Sequence, residues 1–288
     1  MKQVSLIALI ALLVAGCGAE RSDSSESVRV SELPRPEQPT NNGFADPDGG
    51  IAIVSGSQAA SIDISLPANM EALDSKLAAE IRRRADSGKD SFLATAQNDK
   101  ADAENGGYPF RPHSLTVSWE HVGPQDGPVR SFLGGYAAYT GGAHPNYRFD
   151  MLNWDVEQSA AIGFADLFED ADAARDVLRD ALEERLIDAK RERLNDFDIS
   201  DEKMIETWLR PALQDNTSVF ENFTIGRAEG SEMPGGLIYH FEPYVMGSYA
   251  EGPYEIAVPA AVFEAELTPR YREVFDTQAT TVASPPAP

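Results

Sequence analysis

The order of strand-like and helix-like segments constrains this chain more than any other feature. Between residues 113 and 162 apolar residues alternate with polar or small ones, as Leu115, Val117 and Trp119 do. A section with helical periodicity follows over about 172–209, and strand-like runs return at 220–226, 236–244 and 254–259. Strands and helices are therefore segregated rather than strictly alternating. This order predicts an α+β fold, an antiparallel sheet with helices packed on one face.

Shorter patterns predict the elements at either end of the folded part. Residues 60–66, "ASIDISL", alternate like a half-buried strand. Met70, Leu73, Leu77 and Ile81 then recur at three- and four-residue spacing, which predicts a helix whose apolar stripe faces the strands. Residues 91–107 fit neither pattern clearly. We expect the second helix of the central section to end at Pro211 and a short helix to follow residue 259.

The first seventeen residues, "MKQVSLIALIALLVAGC", have the form of a secretory signal. A lysine precedes an apolar run that is too short to span a membrane. The run ends in Leu-Val-Ala-Gly before Cys17, which resembles the lipobox of bacterial lipoproteins. We expect residues 1–16 to be removed and Cys17 to carry fatty acyl chains such as palmitate that anchor the chain stably in a membrane. By the same resemblance to bacterial lipoproteins, Gly18 in the next position permits sorting to the outer membrane, on the periplasmic face.

Composition places the folded body between two low-complexity segments. Residues 17–56 are rich in Ser, Glu, Pro, Asn and Gly, which predicts a disordered tether. Residues 277–288, "TQATTVASPPAP", predict a disordered tail. The folded body is then about residues 57–276.

The charge balance limits the possible partners. The chain has 47 acidic residues against 24 Lys and Arg, a formal net charge of −23. Such a surface repels phosphate backbones, so we expect no nucleic-acid partner. It favours basic proteins, cationic peptides or divalent cations. The alternative is that the acidity serves solubility alone.

A turn between two predicted strands is the first candidate binding site. It contains Tyr139, Gly141, Gly142, His144, Pro145 and Asn146. The glycines give the backbone freedom, the proline fixes the exit, and the histidine is presented between them. Such a loop can hold a saccharide or a partner's loop by stacking and hydrogen bonds. The alternative is a hairpin connection in which the histidine satisfies a neighbouring backbone group.

A long loop around Tyr244 and Tyr249 is the second candidate binding site. Aromatic residues on a mobile loop above a rigid sheet are common in binding sites. The alternative is that these tyrosines pack against their own loop. If both candidate loops lie at one end of the sheet, they form a single site.

Metal and cofactor chemistry has little support in the sequence. The four histidines, His113, His121, His144 and His240, have no close spacing, although strands could bring His144 and His240 together. The acidic runs at 46–50 and 196–202 lack the glycine or later acids of a calcium loop. We expect no metal and no cofactor.

Catalytic motifs are also missing from the sequence. No Gly-x-Ser-x-Gly elbow and no glycine-rich phosphate loop occur, and the single cysteine is Cys17. Paired carboxylates are too common in so acidic a chain to identify a glycosidase pair.

Three stretches together resemble one family: "GGYAAYTGGAHPNYRFDMLNWD", "FADLFED" and "LIYHFEPYVMGSYAEGPYEIAVP". They are similar to the C-terminal domain of the anti-sigma factor RsiV and its relatives, the DUF3298 family, over about residues 126–276. Residues 57–125 resemble the DUF4163 region that also precedes the deacetylase domain of PdaC. The resemblance implies an extracytoplasmic α+β module on a cell-envelope protein, and in RsiV that module binds lysozyme. The chain lacks an anti-sigma segment and the Asp-Asp metal motif of the deacetylase, so neither role carries over.

These observations favour a non-catalytic, lipid-anchored binding protein of the cell envelope. Its expected partners are the membrane, through Cys17, and a lysozyme-like muramidase or peptidoglycan fragments. The alternative is a hydrolase or deacetylase-associated enzyme that acts on cell-wall glycan through His144.

Overall fold

The computed structural model describes residues 51–194, 199–214 and 216–283. The predicted signal segment, Cys17, the first acidic run and most of the predicted tether lie outside these residues. None of the helices in the described part of the chain has the length and apolar content that a membrane span needs.

A mixed sheet forms the first half of the described chain. Its strands are adjacent in chain order: β1 (Ile51–Gly56), β2 (Ala60–Leu66), β3 (His113–His121), β4 (Val129–Tyr139), β5 (Asn146–Asp155) and β6 (Ala160–Ile162). Neighbouring strands are antiparallel except β2 and β3, which are parallel. A parallel pair needs a long crossover. Three helices supply it: α1 (Met70–Leu73), α2 (Ser75–Asp86) and α3 (Lys89–Gly106).

The crossover helices cover one face of this sheet. The stripe residues Leu77 and Ile81 of α2 are buried against Ile64 of β2 and Trp119 of β3. The predicted helix over 70–81 is present as two helices that meet at Asp74, whose side chain caps α2. Met70, Leu77 and Ile81 of the predicted stripe are buried, whereas Leu73 is 38% exposed. Of the stretch 91–107, which fits neither pattern in the sequence, residues 91–106 lie in α3 and Gly107 is its C-cap.

The second half of the described chain builds a smaller sheet and its helical cover. The strands are β7 (Phe223–Arg227), β8 (Pro234–Phe241) and β9 (Tyr254–Pro259), all antiparallel. The helices are α4 (Phe164–Leu167), α5 (Ala171–Arg193), α6 (Asp201–Met204), α7 (Arg210–Gln214), α8 (Ala260–Phe263) and α9 (Pro269–Val274). A π-helical turn, Ile205–Leu209, joins α6 to α7, and short 3₁₀ turns lie at Thr217–Glu221, Tyr249–Glu251 and Glu264–Glu266. Leu178, Leu182 and Leu186 of α5, spaced four residues apart, are buried in the core of this half.

The two sheets meet through a buried polar joint. The Ser131 hydroxyl of β4 donates to Asn153 Oδ1 of β5 at 2.6 Å. Asn153 Nδ2 donates to the Phe223 carbonyl at 2.9 Å, and the Ile225 amide donates to Ser131 Oγ at 2.9 Å. Gly123 allows the approach, because a Cβ there would lie 2.6 Å from the Ile225 carbonyl oxygen. The joint satisfies backbone groups of β7 that would otherwise be buried without partners.

The α+β class is confirmed, and three local expectations are corrected. Composition predicts that residues 51–56 belong to the tether, but Ile51–Gly56 form β1, because their backbone pairs with β2 from residue 51 to residue 56. The tail was expected to be disordered from 277, yet the Ala283 amide donates to the Arg227 carbonyl and Val282 bridges Ala228. Within the described residues the tail is therefore ordered through 283.

The third correction concerns Pro211, which lies inside a helix rather than at its end. A proline normally ends a helix because it has no N–H and its ring clashes with the carbonyl four residues earlier. Here the preceding turn is π-helical, and the Arg210 amide donates to the Ile205 carbonyl, five residues back. The wider turn lets the chain remain helical through Gln214.

Candidate binding site

The turn between β4 and β5 carries the first group of predicted site residues. Tyr139 ends β4 and Asn146 begins β5. Gly141 has φ +87°, a conformation that side chains with a Cβ rarely adopt. Gly142 and Asn146 are exposed, whereas His144 and Pro145 are half-buried. Gly141 therefore shapes the turn, and another part of the chain partly covers His144.

The loop between β8 and β9, residues 242–253, provides that cover. Tyr249 begins a short 3₁₀ turn, and its ring stacks on the His144 imidazole with centroids 3.7 Å apart and planes 21° apart. The Tyr249 hydroxyl also donates to the Pro145 carbonyl at 3.3 Å. The structure thus brings the two candidate loops together at one place.

Two further tyrosines extend this contact. Tyr244 lies 5.6 Å from Tyr249 between ring centroids, and Tyr147 lies 6.4 Å from it. Tyr244 is 57% exposed and has φ +75°, so its backbone is strained for a non-glycine residue. We call the four rings of His144, Tyr147, Tyr244 and Tyr249 the aromatic surface. Aromatic pairs at these separations contribute about 0.5–1.5 kcal/mol each beyond burial alone.

The His144 ring has features of both interpretations made from the sequence. Its Nδ1 lies 3.0 Å from the carbonyl oxygen of Pro145, which only accepts, so Nδ1 carries the proton. This bond satisfies a neighbouring backbone group, as expected of a hairpin histidine. The same ring stacks in the aromatic surface, as expected of a binding residue.

A buried ion pair beneath the loop fixes its position. Lys190 is fully buried near the end of α5 and donates to Glu251 Oε2 at 2.5 Å and to the Met246 carbonyl at 2.7 Å. Glu251 also accepts from the Tyr254 hydroxyl and the Ser248 amide, both at 2.7 Å. Burial by itself raises the pKa of Glu251, but the hydrogen bonds from Lys190 and Tyr254 outweigh it and lower that pKa. The carboxylate is thus ionised and fully bonded.

The neighbouring residues of the loop complete this support. Gly247 leaves room for the Glu251 carboxylate, since a Cβ there would lie 2.4 Å from Oε2. Arg193 donates to the carbonyls of Glu251 and Pro253, both at 2.6 Å, and stacks over the Tyr254 ring at 3.9 Å. Burial and Glu251 raise the pKa of Tyr254, which keeps it protonated and donating.

Sequence reasoning missed Lys190, Glu251 and Arg193. One signal was present: Lys190 continues the four-residue spacing of Leu178, Leu182 and Leu186 and so lies on the buried face of α5. A charged residue on a buried stripe implies a partner. The partner, 61 residues later, carries no such mark in the sequence.

The remaining histidines lie in separate surroundings. His240 is buried, with Thr224 Oγ1 at 2.8 Å and Glu255 at 3.4 Å, so the structure does not pair it with His144. His113 packs between Phe92 and Phe110, and His121 stacks on Phe132. Across residues 51–194, 199–214 and 216–283, no cluster of three or more His, Cys, Asp or Glu is placed to hold a metal ion.

Two family models match successive stretches of the chain, one within the first half of the fold and one within the second. Residues 53–147 match the family model described as Deacetylase PdaC, and residues 165–261 match the one described as Protein of unknown function (DUF3298). The chain carries a PdaC-type region followed by a DUF3298 region. The two domain types indicate a cell-envelope associated protein. His144 and Tyr147 lie in the PdaC match, although the sequence resemblance assigned residues 126–276 to DUF3298, and Tyr244 and Tyr249 lie in the DUF3298 match.

Two solved structures are similar to this one. A member of the DUF3298 family from Bacteroides fragilis is 17% identical with a TM-score of 0.49, over 76% of this chain and 92% of that one. A DUF3298 family protein from Pseudomonas aeruginosa PAO1 is 16% identical with a TM-score of 0.41, over 79% of this chain and 97% of that one. No curated protein matches the chain.

Proposed function

We propose that this protein is a non-catalytic, lipid-anchored binding protein of the cell envelope, and that the aromatic surface contacts its ligand. One observation carries the proposal: a turn of the PdaC-type region and a loop of the DUF3298 region meet ring to ring, His144 on Tyr249. Exposed and half-exposed rings fixed above a rigid sheet are typical of recognition surfaces, where they provide contact area at low entropic cost.

The proposed ligand is a basic muramidase of the lysozyme class. The formal net charge of −23 attracts a basic protein over long range, and the aromatic surface supplies short-range contacts for its side chains. Peptidoglycan fragments are the competing ligand, because sugar rings also stack on tyrosine faces. Separate titrations with lysozyme and with muropeptides distinguish the two ligands.

The proposed anchor is an acylated Cys17 that holds the chain at the membrane. Purified from membranes, the protein is expected to begin at a Cys17 whose mass includes acyl chains. Cys17→Ser should release it into the soluble envelope fraction. An unmodified Cys17 in full-length protein would contradict this part of the proposal.

Binding is tested on the chain from residue 18 onward with lysozyme as the probe, by isothermal titration calorimetry at low and high salt. We expect saturable binding that weakens as salt rises, because exposed charges are screened. Tyr244→Asn, which removes the ring but tolerates the positive φ, should weaken binding about tenfold. Tyr108→Asn is the matched control, since Tyr108 is equally exposed at 57% and lies outside the aromatic surface.

The peptidoglycan arm uses soluble muropeptides in place of lysozyme. The ligand is a glycan rather than a muramidase if muropeptides bind saturably and lysozyme does not bind. Tyr244→Asn should then abolish muropeptide binding. No binding of either probe would contradict the aromatic surface as the binding site.

A further inference from the structure

A groove on the far side of the Tyr249 loop is a surface separate from the aromatic surface, although Lys190, Arg193 and Glu251, which support the loop, also line it. It encloses about 640 Å³ between the end of α5, the α6–π-helical segment and the loop residues Ser248, Ala250 and Glu251. Ser248 and Ala250 line the groove, whereas Tyr249 between them contacts His144. The loop is therefore a wall shared by two distinct surfaces. A volume of this size is in the range of small-molecule sites.

The walls of the groove are apolar and partly open to solvent. They include the half-buried Trp208 and Leu194, the buried Met204, and Ile199, which is 43% exposed. Trp208 lies in the π-helical turn, an element that often marks functional sites. Apolar side chains of this size left open to solvent favour an occupant with an apolar body.

The charges of the groove oppose those of the chain. Of the described residues that line it, Lys190, Arg193 and Lys203 are cationic, and Glu251, which Lys190 already neutralises, is acidic. The chain as a whole has a formal net charge of −23. Arg193 and Lys203 are exposed and cationic, so the groove complements a negative group.

We propose that this groove binds a small amphiphile that carries one carboxylate on an apolar chain, of the class of a free fatty acid. The chain of the ligand packs on Trp208 and Met204, and its carboxylate lies near Lys203 and Arg193. This inference stands apart from the proposed function, since it uses a different face of the loop and a different ligand.

Trp208 provides a local test with dodecanoate as the probe, below its micelle concentration. The other tryptophans, Trp119 and Trp154, are buried in the first sheet's core, at 0% and 5% exposure. We expect a saturable change in tryptophan fluorescence and a matching heat of binding. Trp208→Phe should remove the fluorescence change while calorimetry still detects binding.

Two matched comparisons place the ligand. Lys203→Gln should weaken dodecanoate binding about threefold, whereas Lys76→Gln, an exposed lysine of α2, should leave it unchanged. Ala250→Phe fills the groove at an exposed position and should abolish binding. Dodecanol, which lacks the charge, should bind about threefold or more weakly.

Three results would overturn the inference. If dodecanoate produces no fluorescence change and no heat of binding, the proposed ligand class is wrong. If Ala250→Phe is folded by circular dichroism and still binds dodecanoate like the wild type, the groove is not the binding site. Equal affinity for dodecanol and dodecanoate removes recognition of the carboxylate.

Discussion

The two loops that build the aromatic surface are held in place by different means. The turn of the PdaC-type region depends on backbone geometry, with Gly141 at φ +87° and much of its surface exposed. The loop of the DUF3298 region rests on the buried Lys190–Glu251 pair. The loop of the DUF3298 region therefore has a buried ionic anchor, and the turn contacts that loop through the His144–Tyr249 stack.

The buried pair should give the largest effect of any substitution in the two loops. Glu251→Ala leaves Lys190 charged and without its carboxylate at 1% side-chain exposure, which costs about 3–5 kcal/mol of unfolding free energy. Urea unfolding measures it. The control is the double variant Lys190→Met with Glu251→Leu, which should recover most of the loss because neither charge remains. A loss below about 1 kcal/mol in the single variant would contradict the anchoring role.

Alanine substitutions at three glycines should give the next largest losses of stability and compare the two loops. Gly247→Ala forces the Glu251 carboxylate aside and should cost about 2 kcal/mol. Gly141→Ala should cost about 1 kcal/mol, from positive φ alone. Gly142→Ala is the control, since its Cβ would meet only the His144 carbonyl oxygen at 4.0 Å. Thermal unfolding of the three variants checks the order. Equal losses of stability in Gly247→Ala and Gly142→Ala would contradict the close packing of the Glu251 carboxylate against Gly247.

The stack between the regions should contribute less than either anchor. A double-mutant cycle of His144→Ala and Tyr249→Ala should give a coupling free energy of about 1 kcal/mol, as measured by urea unfolding. Additive losses would mean that the two rings do not support each other in solution.

Acid should reveal the smallest effect. The folded-state pKa of Glu251 is lowered, so its contribution is present above its ordinary pKa and is lost as pH falls through the folded value. The stability difference between the wild type and Glu251→Gln should therefore narrow as pH falls from about 6 to about 3. A difference that stays constant over this window would show that ionised Glu251 is not the stabilising form.

The sequence predicts those helices and strands whose buried residues recur at a regular spacing. The Leu178, Leu182 and Leu186 stripe and the alternation in β2 and β3 are local patterns, and the elements they predict are present. The helix α3 buries Ala96 and Ala103 through small side chains, so its apolar face is faint in the sequence. The parallel pairing of β2 with β3 follows from that crossover and could not be predicted without it.

The sequence predicts which loops form the candidate site, but it does not predict the buried residues that hold one of them in place. The sequence shows the glycine- and tyrosine-rich loops but leaves open whether they lie at one end of the sheet. The structure brings them together in the stack of Tyr249 on His144. The partners that hold the loop, Lys190 and Glu251, are 61 residues apart and pair only because α5 packs beneath β9. Whether the aromatic surface binds a ligand stays a prediction.

The affinity of lysozyme for variants on each side of the aromatic surface tests the shared site most directly. By isothermal titration calorimetry, His144→Ala in the PdaC-type region and Tyr244→Asn in the DUF3298 region should each weaken binding about fivefold or more. Tyr108→Asn should leave the affinity unchanged. Wild-type affinity in both His144→Ala and Tyr244→Asn, with both variants folded, would contradict a binding surface built jointly by the two regions.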